Sequence, residues 1–103
     1  MRIVWQVRAK DAYREIAHYI NERFGCKARQ DFMQKVKESE RLMKSHPDIG
    51  SIDPLFADRP KTYRSVIVGG LSKMVYFVED DIIYIAAFWD CRREPEGQAE
   101  KVK

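Results

Sequence analysis

The chain has 103 residues, a hydrophobic content of 45% and a formal net charge of +3. This length and composition are typical of one small folded domain, which excludes wholesale disorder. No apolar run approaches the ~20 residues needed to span a bilayer, and no apolar signal segment opens the chain, so we expect a soluble, cytoplasmic protein without a membrane partner. Its two cysteines are too few for a disulfide framework and stand in no metal-ligand spacing, so we predict neither a metal nor a cofactor.

The first half of the chain predicts one short strand followed by two helices. Residues 2–7 alternate between polar and apolar side chains, as in a strand, whereas residues 8–24 and 27–45 carry apolar side chains at steps of three and four. Gly25 is placed to end the first helix, and Pro47 stops the second. Because the connection between the helices is short, we predict an antiparallel helical hairpin.

The second half predicts a three-stranded antiparallel meander. Three runs rich in β-branched and aromatic residues cover 63–68, 71–78 and 82–89. The dipeptide Gly69-Gly70 separates the first two runs, and Glu79-Asp80-Asp81 separates the last two.

These elements define an α+β fold in the order β-α-α-β-β-β, with a helical hairpin on one face of a mainly antiparallel four-stranded sheet. Residues 46–62, which contain Pro47, Pro54 and Pro60, are predicted to form a loop between the second helix and the meander. We expect a single domain over residues 1–95 and a polar tail over residues 96–103.

The turns determine which side chains share a face of the sheet. Two-residue loops at Gly69-Gly70 and Asp80-Asp81 would place one apolar set towards the helices: Ile67, Met74, Tyr76, Val78, Ile83, Ile85, Ala87 and Trp89. The open face would then carry Arg64, Lys73, Tyr84 and Phe88 among Val66, Val68, Val75 and Phe77. Arg64 and Lys73 would be diagonal neighbours there, although a shift of one residue in either turn would reverse the assignment.

The ordered set of sequence features resembles the RelE/ParE superfamily of bacterial toxins from type II toxin–antitoxin modules, over about residues 1–95. The resemblance rests on Trp5, on Phe24-Gly25, Ala28 and Phe32, on Pro47, Gly50 and Tyr63-Arg64, on residues 75–81 and on residues 89–95, Trp-Asp-Cys-Arg-Arg-Glu-Pro. It implies a small toxin that is held inactive by a cognate antitoxin, with DNA contact only through the antitoxin complex.

The superfamily has two branches, and the resemblance leaves both open. One branch cleaves messenger RNA on the ribosome, which requires a base, an acid and cations at one phosphate. Lys73 stands where many ribonuclease members carry an arginine, Arg64 offers a second cation, and Tyr84 or Glu79 could assist. The His or Tyr that ribonuclease members often place after the last strand is missing here.

The other branch, which is ParE-like, inhibits DNA gyrase. The ending Arg92-Arg93-Glu94-Pro95 is similar to the endings of ParE-like members, so we favour gyrase over the ribosome and mRNA as target. Whether the chain is an enzyme is left undecided, and an inactive module with the toxin fold is a third interpretation.

Two sets of side chains are candidates for binding. Target contacts are predicted at Arg92, Arg93, Arg64 and Lys73, each of which has a plainer interpretation as a solvated surface cation. Antitoxin contacts are predicted on the apolar part of the open face, at Val66, Val68, Val75, Phe77 and Phe88. The antitoxin could instead add a strand to an exposed edge of the sheet.

Overall fold

The computed structural model describes residues 1–92, in which two helices pack on one face of a five-stranded sheet. In chain order the elements are β1 (Arg2–Trp5), α1 (Val7–Phe24), α2 (Cys26–Ser45), β2 (Ser51–Ile52), β3 (Arg64–Val68), β4 (Ser72–Glu79) and β5 (Ile82–Asp90). The α+β class and the helical hairpin are confirmed. The predicted strand number of four is one too few, because the region predicted as a loop contains β2 and a 3₁₀ turn at Pro54–Phe56.

The strand order across the sheet is β1-β5-β4-β3-β2. β1 pairs with β5 in parallel, and the other pairs are antiparallel. The later strands connect through short turns or a loop, whereas parallel neighbours need a long crossover. The chain passes through the helical hairpin after β1 and returns beside β1 only at β5. The hairpin covers one face of the sheet.

Gly25 joins the two helices and fits its position because its φ of 95° lies in the region that L side chains rarely adopt. Its N–H donates to the carbonyl of Asn21 at 3.0 Å, closing the last turn of α1. The next helix begins at Cys26. A single glycine therefore makes the sharp reversal that the sequence predicted.

The helices bury their apolar stripes against the sheet. The buried residues of this core are Ala9, Ile16 and Ile20 from α1, Phe32, Val36 and Met43 from α2, and Val68, Met74, Tyr76, Ile83, Ile85 and Phe88 from the sheet. At its centre the rings of Trp5, Tyr13, Phe32 and Phe88 form a continuous aromatic cluster, with centroids 5.2–6.0 Å apart. Such rings bury large apolar areas and dominate the energy of a small core.

The turn between β3 and β4 differs from the prediction by one residue. Gly69 and Gly70 have φ values of 61° and 76°, as a tight turn requires, but Val68 pairs with Ser72 rather than with Leu71. Leu71 is the extra residue of this turn, and its carbonyl accepts a hydrogen bond from the N–H of Cys91. The predicted register of this hairpin is therefore wrong.

The turn between β4 and β5 is as predicted, but the hairpin that follows contains a bulge. Val78 lies opposite Ile83 and Tyr76 opposite Ile85, after which Val75 pairs with Ala87. Ala86 is the extra residue, and a bulge of this kind reverses the facing of every later side chain on its strand.

These two shifts change the membership of both faces. Met74, Tyr76, Ile83 and Ile85 are confirmed as part of the core beneath the helices. Ile67 is 65% exposed, and Ala87 and Trp89 pack in a separate cluster with Phe56, Tyr63 and Val75. Val78 keeps its predicted partner Ile83 but is 41% exposed. Conversely, Val66, Val68 and Phe88 belong with the core under the helices.

Candidate functional site

The face of the sheet opposite the helices is covered in part by residues 53–63, which we call the cover segment. It is closed by a hydrogen bond from the Asp53 N–H to the Tyr63 carbonyl at 2.9 Å. The Asp53 carboxylate accepts from the Leu55 N–H at 2.9 Å and so caps the 3₁₀ turn that Pro54 opens. This turn places Phe56 against Val75 and Trp89. The cover segment is thus an ordered part of the candidate site.

Lys73 extends from β4 towards the cover segment and forms an ion pair. Its Nζ lies 2.8 Å from Asp53 Oδ2, and the two side chains are 16% and 0% exposed. The same ammonium lies 5.7 Å from the centroid of the Trp89 ring, within the range of a cation–π contact. Lys73 is therefore held by the protein's own carboxylate and aromatic ring.

A ladder of four aromatic rings follows the sheet from this ion pair. Successive centroids are separated by 4.7 Å between Phe56 and Tyr63, 5.2 Å between Tyr63 and Phe77, and 5.1 Å between Phe77 and Tyr84. Phe56 and Phe77 are buried, whereas Tyr63 and Tyr84 are partly exposed. The ladder offers two phenol groups and ring edges to a partner.

Lys61 lies beside this ladder, with its Nζ 4.8 Å from the centroid of Phe77. It donates to the carboxylate of Glu79, and this hydrogen bond is the main reason that the pKa of Lys61 is raised. Both side chains are more than a third exposed, so the pair is largely solvated. Glu79 thus has an ion-pair partner, and Tyr84 stacks on Phe77 at an interplanar angle of 19°.

Arg64 does not join Lys73, which corrects the prediction that they are diagonal neighbours. Arg64 lies opposite Tyr76, whose side chain belongs to the core under the helices, whereas Lys73 extends to the other face. The guanidinium of Arg64 donates to the Gly50 carbonyl at 2.8 Å. The reason is the register of β3 on β4, because a shift of one residue moves a side chain across the sheet.

Tyr76 links the same region to the loop after α2. Its hydroxyl donates to the Pro47 carbonyl at 2.8 Å and accepts from the Gly50 N–H at 2.9 Å. Burial is the main cause of the raised pKa of this phenol. A buried hydroxyl that both donates and accepts a hydrogen bond in this way supports the fold.

Arg92 is bound by a buried carboxylate at the end of β5. Its Nε and one terminal nitrogen donate to Asp90 at 2.9 and 2.7 Å, and the hydroxyl of Ser72 donates to the same carboxylate at 2.5 Å. Burial raises the pKa of Asp90, but the hydrogen bonds from Arg92 and Ser72 outweigh it, and the net shift is downward. The guanidinium carbon also lies 5.9 Å from the Phe32 ring centroid. The guanidinium of Arg92 is thus already hydrogen-bonded within the protein.

The sequence interpretation missed both buried aspartates. Asp90 and Asp53 are each 1% exposed, and they bind Arg92 and Lys73, two of the predicted target-binding cations. One local signal was available for Asp90, which stands two residues before an arginine at a strand end. Arg93, the remaining cation of the pair, lies outside the described residues, as does the predicted tail.

The residues predicted to bind the antitoxin do not share a face. Val68 and Phe88 are 3% and 2% exposed within the core under the helices, and Val66 packs against that core. Val75 and Phe77 are 0% and 5% exposed on the other face. The grouping of these five residues on one open face is therefore wrong, for the same reason of register.

Groups that often carry chemistry elsewhere lie apart from this face. His18 contacts Glu22 at 2.9 Å on the surface of α1, and His46 follows the end of α2. Over residues 1–92 there is no cluster of His, Cys, Asp and Glu side chains suited to a metal ion. Within the same range, no helix is long and apolar enough to cross a membrane.

Comparison with known protein families identifies the family of this chain. The family model described as "ParE toxin of type II toxin-antitoxin system, parDE" matches residues 3–95, nearly the whole chain. The chain belongs to the ParE toxin family. The resemblance to RelE/ParE toxins is thereby confirmed, and membership implies an antitoxin as partner.

Solved structures agree on the fold. The chromosomal ParDE toxin–antitoxin system from P. aeruginosa matches with a TM-score of 0.70 at 15% identity, over 87% of this ParE-family chain and 95% of the other. The YoeB dimer from Staphylococcus aureus matches with a TM-score of 0.59 at 20% identity, over 84% and 92%. No protein with curated function matches this chain significantly.

Proposed function

We propose that this ParE-family toxin acts by binding and inhibiting DNA gyrase, without chemistry of its own. The observation that carries the proposal is the separation of Arg64 and Lys73 on opposite faces of the sheet. Two cations that extend from opposite faces do not converge on one phosphate group. The family assignment supports the same choice, since the sequence resemblance associates the ParE-like branch with inhibition of DNA gyrase.

The demands of RNA cleavage strengthen this argument. Attack of a 2′-hydroxyl requires a base, an acid and cations at one site. Lys73 is paired with the buried Asp53, and Glu79 with Lys61. His18 lies within α1, and His46 follows the end of α2. The arrangement therefore favours a surface that binds over one that catalyses.

The test is negative supercoiling by purified gyrase in the presence of toxin that has been separated from its antitoxin. We expect inhibition that depends on toxin concentration and is abolished by adding the antitoxin back. The change Arg93→Glu tests the predicted target contact at the chain's basic ending and should weaken inhibition. Arg14→Glu, at an exposed position of α1, is the matched control and should leave inhibition unchanged.

Two results would contradict the proposal. Uninhibited gyrase together with codon-specific mRNA cuts in a translating extract would establish a ribonuclease, and Lys73→Ala and Arg64→Ala should then abolish the cuts. Unchanged growth after induction of the toxin without antitoxin would establish an inactive module.

A further inference from the structure

The outward face of α2 carries a line of three cations, Lys37, Arg41 and Lys44, which we call the α2 basic stripe. These residues follow one another at steps of four and three, so they lie on one side of the helix, and all three are exposed. The opposite side of the helix is apolar, with Phe32 and Val36 among its buried residues. At 1.5 Å per residue the stripe is about 10 Å long, so it presents two turns of basic helix to solvent.

The acids of α2 near this stripe are hydrogen-bonded to other groups. Glu40 stands four residues before Lys44, but its carboxylate accepts from the indole N–H of Trp5 at 3.2 Å. Glu38 accepts from the side-chain amide of Gln34 at 3.4 Å. Over residues 1–92, none of the three cations of the stripe forms an ion pair. The stripe therefore keeps its full positive charge.

This arrangement of cations is unfavourable in the free protein. Like charges at i,i+4 and i,i+3, as in Lys37 with Arg41 and Arg41 with Lys44, repel one another and destabilise a helix. α2 as a whole contains six Lys and Arg against three Asp and Glu, a net charge of +3, which equals the formal net charge of the whole chain. An anionic partner along the stripe would relieve the repulsion.

The side chains beside the stripe indicate the class of this partner. Within Cys26–Ser45, the residues that share the outward face are polar: Gln30, Gln34, Glu38 and Ser45. Protein partners and membranes require apolar side chains at the centre of the contact, and single-stranded nucleic acids require aromatic rings for stacking. Interfaces with duplex DNA are polar and strongly positive. The composition of this face therefore favours a nucleic-acid duplex.

The helical shape of this surface favours DNA over RNA. The major groove of B-DNA is about 12 Å wide and admits an α-helix, whereas the major groove of A-form RNA is too narrow. We propose that this toxin binds double-stranded DNA directly, with Lys37, Arg41 and Lys44 in contact with the phosphate backbone. This binding differs from the expectation that DNA is contacted only through the antitoxin complex. It goes beyond the proposed inhibition of gyrase and does not depend on gyrase being the target.

The first test is the salt dependence of DNA binding. Fluorescence anisotropy measures the affinity of the antitoxin-free toxin for a labelled DNA duplex of roughly 20 base pairs, about two helical turns. Three phosphate contacts release counterions, so a plot of the logarithm of affinity against the logarithm of salt concentration should have a slope of about −2.7. A slope near zero would overturn the proposal, as would tighter binding to an RNA duplex of the same sequence.

The second test addresses Arg41, the middle residue of the stripe. Arg41→Gln should weaken DNA binding by about eightfold at roughly 0.1 M salt and make the slope shallower by about one, because one phosphate contact is lost. Arg2→Gln is the matched control, since it removes the same charge from an exposed position of β1 and should leave the slope unchanged. Equal losses in the two variants would show that binding follows net charge, and the proposal would be wrong.

The third test removes the whole stripe. The triple variant Lys37→Gln, Arg41→Gln and Lys44→Gln should lose the salt-dependent binding to the DNA duplex. Glutamine is a good helix former, so α2 should be retained, and circular dichroism establishes that the variant is folded. A folded triple variant that keeps the slope of the unchanged toxin would locate the DNA contact elsewhere and refute the proposal.

Discussion

Among residues 1–92, each face of the sheet has one buried aspartate paired with a cation, and the two pairs differ in their hydrogen bonds. On the helix side, Asp90 binds Arg92 through two side-chain hydrogen bonds and also accepts from Ser72. On the other side, Asp53 meets Lys73 at a single Nζ. Arginine offers a planar fork that matches a carboxylate, whereas lysine offers a point charge.

The difference reflects what surrounds each pair. Arg92 also lies over the Phe32 ring, beside the aromatic cluster that forms the main core. Lys73 lies beneath the short cover segment, which is held by one 3₁₀ turn and a small cluster around Phe56. We therefore expect the helix side to contribute more to the stability of the domain than the opposite side does.

The largest effect should come from aromatic side chains on the two faces. Phe88→Ala empties the centre of the main core and should lower the free energy of unfolding by about 3–5 kcal/mol. Phe56→Ala should cost less, about 2 kcal/mol, because the cover segment can relax into the space. Urea denaturation of both variants measures the difference. Equal losses would show that the two faces are packed equally well.

The next effect concerns the fork of Arg92. Arg92→Ala leaves the buried Asp90 carboxylate with the Ser72 hydroxyl and the backbone N–H of residue 92 but without its cation, and should destabilise the protein by about 3 kcal/mol. Arg92→Lys keeps the charge but loses the second hydrogen bond, so its stability should be intermediate. Chemical denaturation separates the three proteins. A lysine variant as stable as the original would contradict the importance of the fork.

The same pair predicts a dependence of stability on pH. The pKa of Asp90 is lower in the folded protein than its ordinary value of 3.8. The stabilisation is therefore fully present above that value and is lost as the pH falls through the folded pKa. Asp90→Asn lacks this contribution, so the stability difference between the two proteins should shrink on acidification below 3.8. Denaturation curves across this range measure it, and a difference independent of pH would refute the assignment.

The pair on the opposite face should contribute less. Lys73→Met leaves Asp53 buried without its ammonium and should cost about 2 kcal/mol. Adding Asp53→Asn to that variant should recover part of the loss, because the uncompensated charge is removed while the cap to Leu55 is kept. A double-mutant cycle provides the coupling energy. Strict additivity would mean that the two groups do not interact.

The smallest effect is expected at the exposed pair of Lys61 and Glu79. Both side chains are more than a third exposed, and solvent and salt screen their attraction. Lys61→Ala should leave the denaturation midpoint unchanged within error, at low and at high salt. A clearly lower denaturation midpoint at low salt would indicate that the aromatic ladder depends on this cation.

Part of the site followed from the sequence and part did not. Lys73, Arg64 and Arg92 were identified as candidates from their positions on strands and at the basic ending. Their partners were not identified, because Asp53 lies in a segment predicted to be a loop and becomes adjacent to Lys73 only when that segment folds over the sheet. Local periodicity carries no information about such a contact.

The sequence alone determined the class of fold, the helical hairpin, the extent of the long strands and the family. The features of the fold follow from patterns within short windows, such as apolar spacing, Gly25 and the Asp80-Asp81 turn, whereas the family follows from the resemblance of the ordered motifs to RelE/ParE toxins. Only the tertiary structure decided which face each strand residue occupies. The extra residue Leu71 shifts β3 against β4 and so reverses the predicted facing of the β3 side chains, whereas the extra residue Ala86 reverses the side chains that follow it on β5.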